Sequence, residues 1–313
     1  MRYPPVWLAL AGVLLAPPTH AQAWREVMAL GKLEPTVLRD NGVEAQIDSV
    51  TVTSGGEETT SARVTVKFPD QEPIDLPPDP LLNDAYPLSV GVGALGPGPA
   101  NPAVIVEGYS GGAHCCATFQ MAVMIDGAIL ILGLPAMDGS PGTGFPADID
   151  GDGMADIRRT DDAFLYSFSS YAASVAVPTI WNLREGKLID VSAEPRFAPV
   201  YRELADSALA ACADKEASER NGACAAYAAA RARLGQAEDG IAVAVRDAAP
   251  SDAAPFEPAL RRLLKDRGYL DPPPPPPPAP SSEPPVDSPA PVLHQEGVGP
   301  AEVPAPQEPG VGR

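Results

Sequence analysis

Histidine is scarce in this chain of 313 residues and occurs only at His20, His114 and His294. A serine or cysteine nucleophile usually depends on a histidine base within hydrogen-bond reach. Zinc sites usually combine histidine and cysteine ligands taken from separated positions. Three histidines so far apart give little support to either kind of site.

Basic residues are also few, because 22 lysines and arginines stand against 41 acidic residues and leave a formal net charge of -19. Between residues 44 and 156, the only basic residues, Arg63 and Lys67, are accompanied by sixteen aspartates and glutamates. Such a chain repels phosphate backbones and anionic membrane surfaces, so we do not expect a nucleic-acid partner. An acidic surface attracts cations or basic partners, although it often serves solubility alone.

Long apolar runs are absent except near the N-terminus, where Arg2 precedes an apolar stretch over residues 6–16 and the small-residue sequence Ala21-Gln22-Ala23. This order is typical of a secretory signal peptide. The apolar stretch is shorter than the ~20 residues that a bilayer crossing needs. We therefore predict a signal peptide over residues 1–23, no membrane insertion after its cleavage, and a periplasmic or secreted product.

Cysteine occurs four times, at Cys115, Cys116, Cys212 and Cys224. In an exported chain these residues favour disulfides. Cys212 and Cys224 flank a predicted break between two Ala-rich helices, so they are the expected local pair. Cys115 and Cys116 would then form a vicinal disulfide or stay as thiols, and pairing with the two helical cysteines is the alternative.

The hydrophobic pattern changes once along the chain. Alternation over residues 62–68 predicts a strand. Two hairpins are predicted, one over residues 119–132 around Asp126-Gly127 and one over residues 180–191 around Glu185-Gly186. A short helix over residues 24–33 is predicted to lead into this β-rich part.

Beyond Phe197 the pattern becomes Ala-rich and helical. Helices are predicted over residues 201–217, 224–234, 241–248 and 256–267, with a break at Asn221-Gly222 and a C-cap at Gly268. The last segment is rich in proline, which favours an extended chain without a core. The predicted fold is therefore α+β: an antiparallel β-rich domain over residues 24–196, a helical unit over residues 197–270 and a disordered tail over residues 271–313.

The most informative motif is Ala-Asp-Ile-Asp-Gly-Asp-Gly-Met-Ala-Asp at residues 147–156. Calcium takes six to eight oxygen ligands, and a tight loop can supply carboxylates at relative positions 1, 3, 5 and 9 with a carbonyl at position 7. Gly153 falls at position 6, where a positive φ wraps the chain around the ion. The predicted calcium ligands are Asp148, Asp150, Asp152, the Met154 carbonyl and Asp156.

An EF-hand would carry a bidentate glutamate at position 12 of this loop, but Arg159 stands there. Over residues 145–157 the loop resembles the Asp-rich turns of FG-GAP and VCBS-type calcium repeats, which join strands in extracellular β proteins. Those families carry several copies, whereas this chain has one. The resemblance implies a calcium ion that fixes a loop structurally, with an affinity suited to millimolar extracellular calcium.

A second notable stretch runs from Tyr109 to Cys116 and includes a Gly-x-Ser-x-Gly pattern centred on Ser110. A hydrolase of that type needs a histidine downstream, and only His114 and the tail residue His294 follow the serine. A soft-metal site at His114, Cys115 and Cys116 would draw three consecutive ligands, which rarely converge on one ion.

Two hypotheses follow from the sequence. The first is an exported calcium-binding protein with a structural or binding role, whose partner is a protein or glycan of the cell envelope. The second is an extracytoplasmic enzyme, a serine hydrolase or thiol redox protein, that uses the loop from Tyr109 to Cys116. Motif and compartment favour the first.

Overall fold

The computed structural model describes residues 24–29, 34–54, 57–77, 88–109, 115–138, 145–250 and 255–270. The predicted signal peptide at residues 1–23 and the predicted disordered tail at residues 271–313 lie outside these ranges and stay predictions. Within the ranges, no helix combines the length and the apolar character that a bilayer crossing requires.

The described residues form twelve strands and four α-helices. The strands are β1 Arg25–Ala29, β2 Thr36–Asp40, β3 Val43–Ser54, β4 Glu57–Lys67, β5 Ile74–Asp75, β6 Leu88–Ala94, β7 Pro102–Tyr109, β8 Cys115–Ile125, β9 Ala128–Asp138, β10 Ile157–Asp161, β11 Val177–Arg184 and β12 Lys187–Asp190. The helices are α1 Ala198–Ala213, α2 Asn221–Arg233, α3 Ala237–Asp247 and α4 Phe256–Asp266. Short 3₁₀ turns cover Asp162–Phe164, Tyr171–Ala173 and Pro195–Phe197.

The strands build three antiparallel sheets. The first has the order β1-β6-β7-β8-β9, the second β2-β3-β4-β5 and the third β10-β11-β12. The Asn41-Gly42, Asp126-Gly127 and Glu185-Gly186 pairs all have positive φ at both residues. Paired positive φ values match the right-handed twist of the flanking strands in a two-residue hairpin.

The first sheet lies at the centre of the β part, with an apolar core on each face. One core joins Val90 and Val104 to Val43 of the second sheet, and the other joins Ile105 to Ile157 of the third sheet. Because both faces are covered, β6 and β7 are buried along almost their whole length. The third sheet therefore lies between the first sheet and the helices.

The helices pack onto the third sheet through a shared core. This core contains Ile180 of β11, Tyr201 of α1 and the alanines of α2. It also contains Phe164 and Phe197, which lie in 3₁₀ turns. Alternation along β11 places Ile180 toward the helices and its neighbour Trp181 toward the first sheet. The helical part thus packs against a strand whose opposite face contacts the first sheet.

The predicted α+β class, with antiparallel hairpins followed by Ala-rich helices, is confirmed. Both predicted hairpins form, as β8 with β9 and β11 with β12. Cys212 and Cys224 are disulfide-bonded, as expected. Gly268 has φ +70 just beyond α4, in agreement with its predicted role as a C-cap.

Two local predictions are wrong. The predicted helix over residues 24–33 is contradicted because Arg25–Ala29 forms β1, which pairs with Leu88 to Val92 on the edge of the first sheet. The predicted break between the first two Ala-rich helices is present, but it lies at residues 214–220 and not at Asn221-Gly222, which begins α2. There Asn221 exchanges hydrogen bonds of 2.6 and 3.1 Å with the Ala249 backbone, and a Cβ on Gly222 would lie 2.2 Å from the Ser169 hydroxyl. Long-range contacts thus decide both segments.

Candidate metal centre

The acidic motif folds as a closed loop between β9 and β10. Ala147 and Asp156 form an antiparallel bridge at its base, with N–O distances of 3.1 and 2.8 Å. The Ala155 amide donates to the Leu95 carbonyl, just past the end of β6, over 2.8 Å. The loop is therefore closed on itself and attached to the first sheet.

Two glycines in the left-handed region shape this loop. Gly153 has φ +86, as the sequence predicted, and Gly151 has φ +83. Residues with a Cβ are strained at these values, so glycine is favoured at both positions. The resulting tight path turns several carboxylates toward one point.

Three of the predicted ligands come together. Asp148, Asp150 and Asp156 each offer a carboxylate oxygen, and these oxygens lie within 4.8 Å of one another. Oxygens at about 2.3 to 2.6 Å from a calcium ion have mutual separations of this size. Backbone amides hold the carboxylates in place: Asp148 accepts from Gly151 and Gly153 at 2.7 and 3.0 Å, and Asp156 accepts from Ile149 at 2.8 Å.

Asp152 is placed differently from these three carboxylates. Asp152 lies outside the three-carboxylate cluster: one oxygen accepts from the Met154 amide at 2.8 Å and the other lies 2.5 Å from an Arg196 nitrogen. Metal ligation stays a prediction for all five residues, including the Met154 carbonyl.

Asn182 and Arg196 also belong to this site, although neither is part of the acidic motif. The Asn182 amide donates to Asp156 over 2.5 Å. Arg196 places Nη1 2.7 Å from Asp150 Oδ2, and its Nη2 donates to Asn182. Glu194 accepts from Arg196 Nε at 2.9 Å and from both terminal nitrogens of Arg184. These residues lie far along the chain from the loop, so no local sequence pattern points to them.

Burial makes this acidic cluster costly even beside the guanidinium of Arg196. The Asp150 side chain is 2% exposed, and its Oδ2 accepts no well-formed hydrogen bond although Arg196 lies close by. Burial also raises the pKa of Asp156; the charge of Asp150 adds to this, and hydrogen bonds from Asn182 and Ile149 oppose it. Because the folded-state pKa is raised, ionisation of Asp156 opposes folding as pH rises through that pKa. A divalent cation would offset both costs, so the donor set fits calcium.

The loop leads into strand β10, whereas an EF-hand loop leads into a helix. Arg159, at the position of the EF-hand glutamate, lies in that strand and points into the core, where it pairs with Glu107 at 2.7 Å. Arg159 therefore belongs to the core and not to the loop.

The second notable stretch is described only at its ends. Tyr109 ends β7 and Cys116 lies in β8, while Ser110 and His114 lie outside the described residues. The hypothesis of a serine hydrolase therefore stays a prediction. Cys116 is disulfide-bonded, and the Cys212–Cys224 bond excludes its pairing with the helical cysteines. The alternative of a free thiol at Cys116 is wrong, and so is a Cys116 thiolate as nucleophile or soft-metal ligand in this oxidised form.

Comparison with known proteins finds no matching family model and no matching solved structure. The chain is similar to a protein of Synechocystis sp. named as a probable thylakoid lumen protein, with 38% identity over 146 residues, which is 44% of this chain and 42% of that protein. It is also similar to an uncharacterised protein of Sinorhizobium fredii, with 28% identity over 197 residues, which is 55% of this chain and 31% of that protein. The matched regions thus span less than half the length of each relative.

Proposed function

We propose that this is an exported protein that binds one calcium ion in the loop of residues 147–156 and has a structural or binding role in the periplasm or at the cell surface. The observation that carries the proposal is the convergence of Asp148, Asp150 and Asp156, whose oxygens lie within 4.8 Å of one another inside a closed loop. The resemblance of the loop to FG-GAP and VCBS-type turns supports the same ion.

An extracytoplasmic location is supported by three independent features. The N-terminal sequence has the order of a secretory signal peptide. Two of the cysteines form a disulfide, which persists in oxidising compartments. One relative is named as a lumen protein, and a lumen is an extracytoplasmic compartment.

The position of the loop indicates what the ion would do. Ala155 attaches the loop to the first sheet through Leu95, and Asn182 links Asp156 to β11 of the third sheet. An ion held by Asp148, Asp150 and Asp156 would therefore stabilise the junction of two sheets. We propose that the surface at this junction binds a protein or glycan of the cell envelope.

Replacing Asp150 by asparagine is expected to abolish stabilisation by calcium. At a calcium concentration 100 times the dissociation constant, binding should stabilise the wild-type protein by about 2.7 kcal/mol. For a chain of this size, that corresponds to a rise of about 5 to 10 °C in melting temperature. Differential scanning calorimetry in calcium and in chelator should show this rise for the wild type and none for Asp150→Asn.

Asp126→Asn is the matched control, because it makes the same substitution in an exposed hairpin turn where Asp126 has φ +49. Asparagine tolerates that backbone conformation, so the response to calcium should be that of the wild type. Titration calorimetry that detects no calcium uptake by the wild-type protein would contradict the proposed function.

A further inference from the structure

We infer that Arg196 is a tethered cation that competes with calcium for the carboxylates of the loop and so sets the affinity of the site. This inference rests on the proposed function, because it concerns how the same site is regulated. It assigns a role to a residue that lies 40 positions beyond the calcium-loop motif and outside the set of predicted ligands.

The contacts of Arg196 place its positive charge at the carboxylates. Nη1 lies 2.7 Å from Asp150 Oδ2 and 2.5 Å from Asp152 Oδ2. Nη2 donates to Asn182, which in turn donates to Asp156. The guanidinium group is therefore in direct contact with two of the predicted calcium ligands and one residue away from a third.

The Asp150 carboxylate cannot keep its ion pair with Arg196 and coordinate calcium at the same time. Its side chain is almost completely buried, and Arg196 is the cation within ion-pair distance among the described residues. A calcium ion coordinated by Asp150 Oδ2 would lie within a few ångströms of the guanidinium if Arg196 stayed in place. Like charges at such a distance repel each other strongly in a partly buried site, so calcium uptake favours withdrawal of the guanidinium.

The Arg196 side chain can move away from the carboxylates while the surrounding structure stays folded. Its Nε is bound to Glu194 at 2.9 Å, and the guanidinium lies 4.7 Å from the centre of the Phe197 ring. Phe197 is fully buried and leads directly into α1, so the backbone at this point is anchored by the shared core. The side chain is about 29% exposed and can turn toward solvent while Glu194 keeps its other partner, Arg184.

The test is calcium titration calorimetry on the full chain, with Arg196→Gln compared with the wild type. Removing a positive charge next to the ion should tighten calcium binding by roughly tenfold or more. In chelator, Arg196→Gln should melt at a lower temperature than the wild type, because Asp150 and Asp152 lose their counter-charge. The rise in melting temperature between chelator and calcium should therefore be larger for Arg196→Gln than for the wild type, because the calcium-free variant is less stable and its calcium-bound form is tighter.

Two further variants make the result specific. Arg202→Gln removes the same charge from an exposed position of α1, where Nε donates to the Ala198 carbonyl, and should leave calcium affinity unchanged. Arg196→Lys keeps the charge and should bind calcium with an affinity close to that of the wild type.

If Arg196→Gln proves unfolded in chelator, its affinity can be measured from the calcium-loaded state by competition with a chelator of known strength.

The outcomes separate the two proposals. Calcium binding by the wild type together with equal or weaker binding by Arg196→Gln would overturn the role of Arg196 and leave the calcium site standing. Absence of calcium uptake in both proteins would overturn the calcium site itself.

Discussion

Replacing Arg159 by methionine is expected to lower the free energy of unfolding by about 3 to 5 kcal/mol, because it removes one partner of a buried ion pair. Arg159 Nη1 lies 2.7 Å from Glu107 Oε1, and the two side chains are 3% and 5% exposed. The guanidinium also lies 5.3 Å from the centre of the Phe119 ring. Burial lowers the pKa of Arg159 and Glu107 raises it, so each charge depends on the other. Urea unfolding measures the loss.

A double-mutant cycle distinguishes the ion pair from general damage to the core. Arg159→Met combined with Glu107→Leu removes both charges, and replacing a buried pair by apolar residues is often close to neutral. The double variant should therefore be more stable than Arg159→Met alone. Arg262→Met, which makes the same substitution at an exposed position of α4, is the control and should change stability by about 0.5 kcal/mol or less. Additive costs for the two single changes would show that the pair is not coupled.

The hairpins and the tight turn of the acidic loop could be predicted because their signals are local. Asp126-Gly127 and Glu185-Gly186 adopt the positive φ values that a two-residue turn requires, and alternation on either side defines the strands. The loop likewise follows from residues within ten positions of one another, with Gly153 at φ +86. The conformation of such turns depends on residues close in sequence, so a local sequence pattern is enough to predict it.

The rest of the architecture depends on contacts that a local pattern does not contain. β1 pairs with β6 across more than fifty residues, so the segment after Trp24 becomes a strand because an edge is available to it. Glu107 and Arg159 are 52 positions apart, and neither strand pattern identifies the other as its partner. In both cases the decisive energy comes from tertiary pairing, which overrides the local preference of the chain.

Glycine also has a role in β6 that the sequence pattern does not indicate. A Cβ on Gly91 would lie 2.2 Å from the Phe145 ring, and a Cβ on Gly93 would lie 2.7 Å from the Trp24 ring. These two rings stack with centroids 5.7 Å apart. The glycines thus leave room for an aromatic pair that brings the start of the acidic-loop segment onto the first sheet. This use of glycine can be recognised only when the residues that pack against the strand are known.

Replacing Asp161 by alanine is expected to lower the free energy of unfolding by about 3 kcal/mol, because it removes hydrogen bonds to charged and buried groups together with a cap. Asp161 is 3% exposed and accepts from the Tyr269 hydroxyl at 3.0 Å and from Arg267 at 2.8 and 3.0 Å. It also caps the 3₁₀ turn Asp162–Phe164 through the Ala163 amide. These contacts join β10 to the turn that follows α4.

Tyr269→Phe measures how much of the stability lost in Asp161→Ala comes from the hydrogen bond of the Tyr269 hydroxyl. Tyr269 is buried, and both burial and the charge of Asp161 raise the pKa of its hydroxyl, so that group remains a neutral donor. Removing the hydroxyl alone should cost about 1 to 1.5 kcal/mol in urea unfolding. Asp266→Ala, at an exposed position at the end of α4, is the control and should cost about 0.5 kcal/mol or less. If Asp161→Ala were no more damaging than Asp266→Ala, the C-terminal turn would not be held through Asp161, and the helices would depend on the shared apolar core alone.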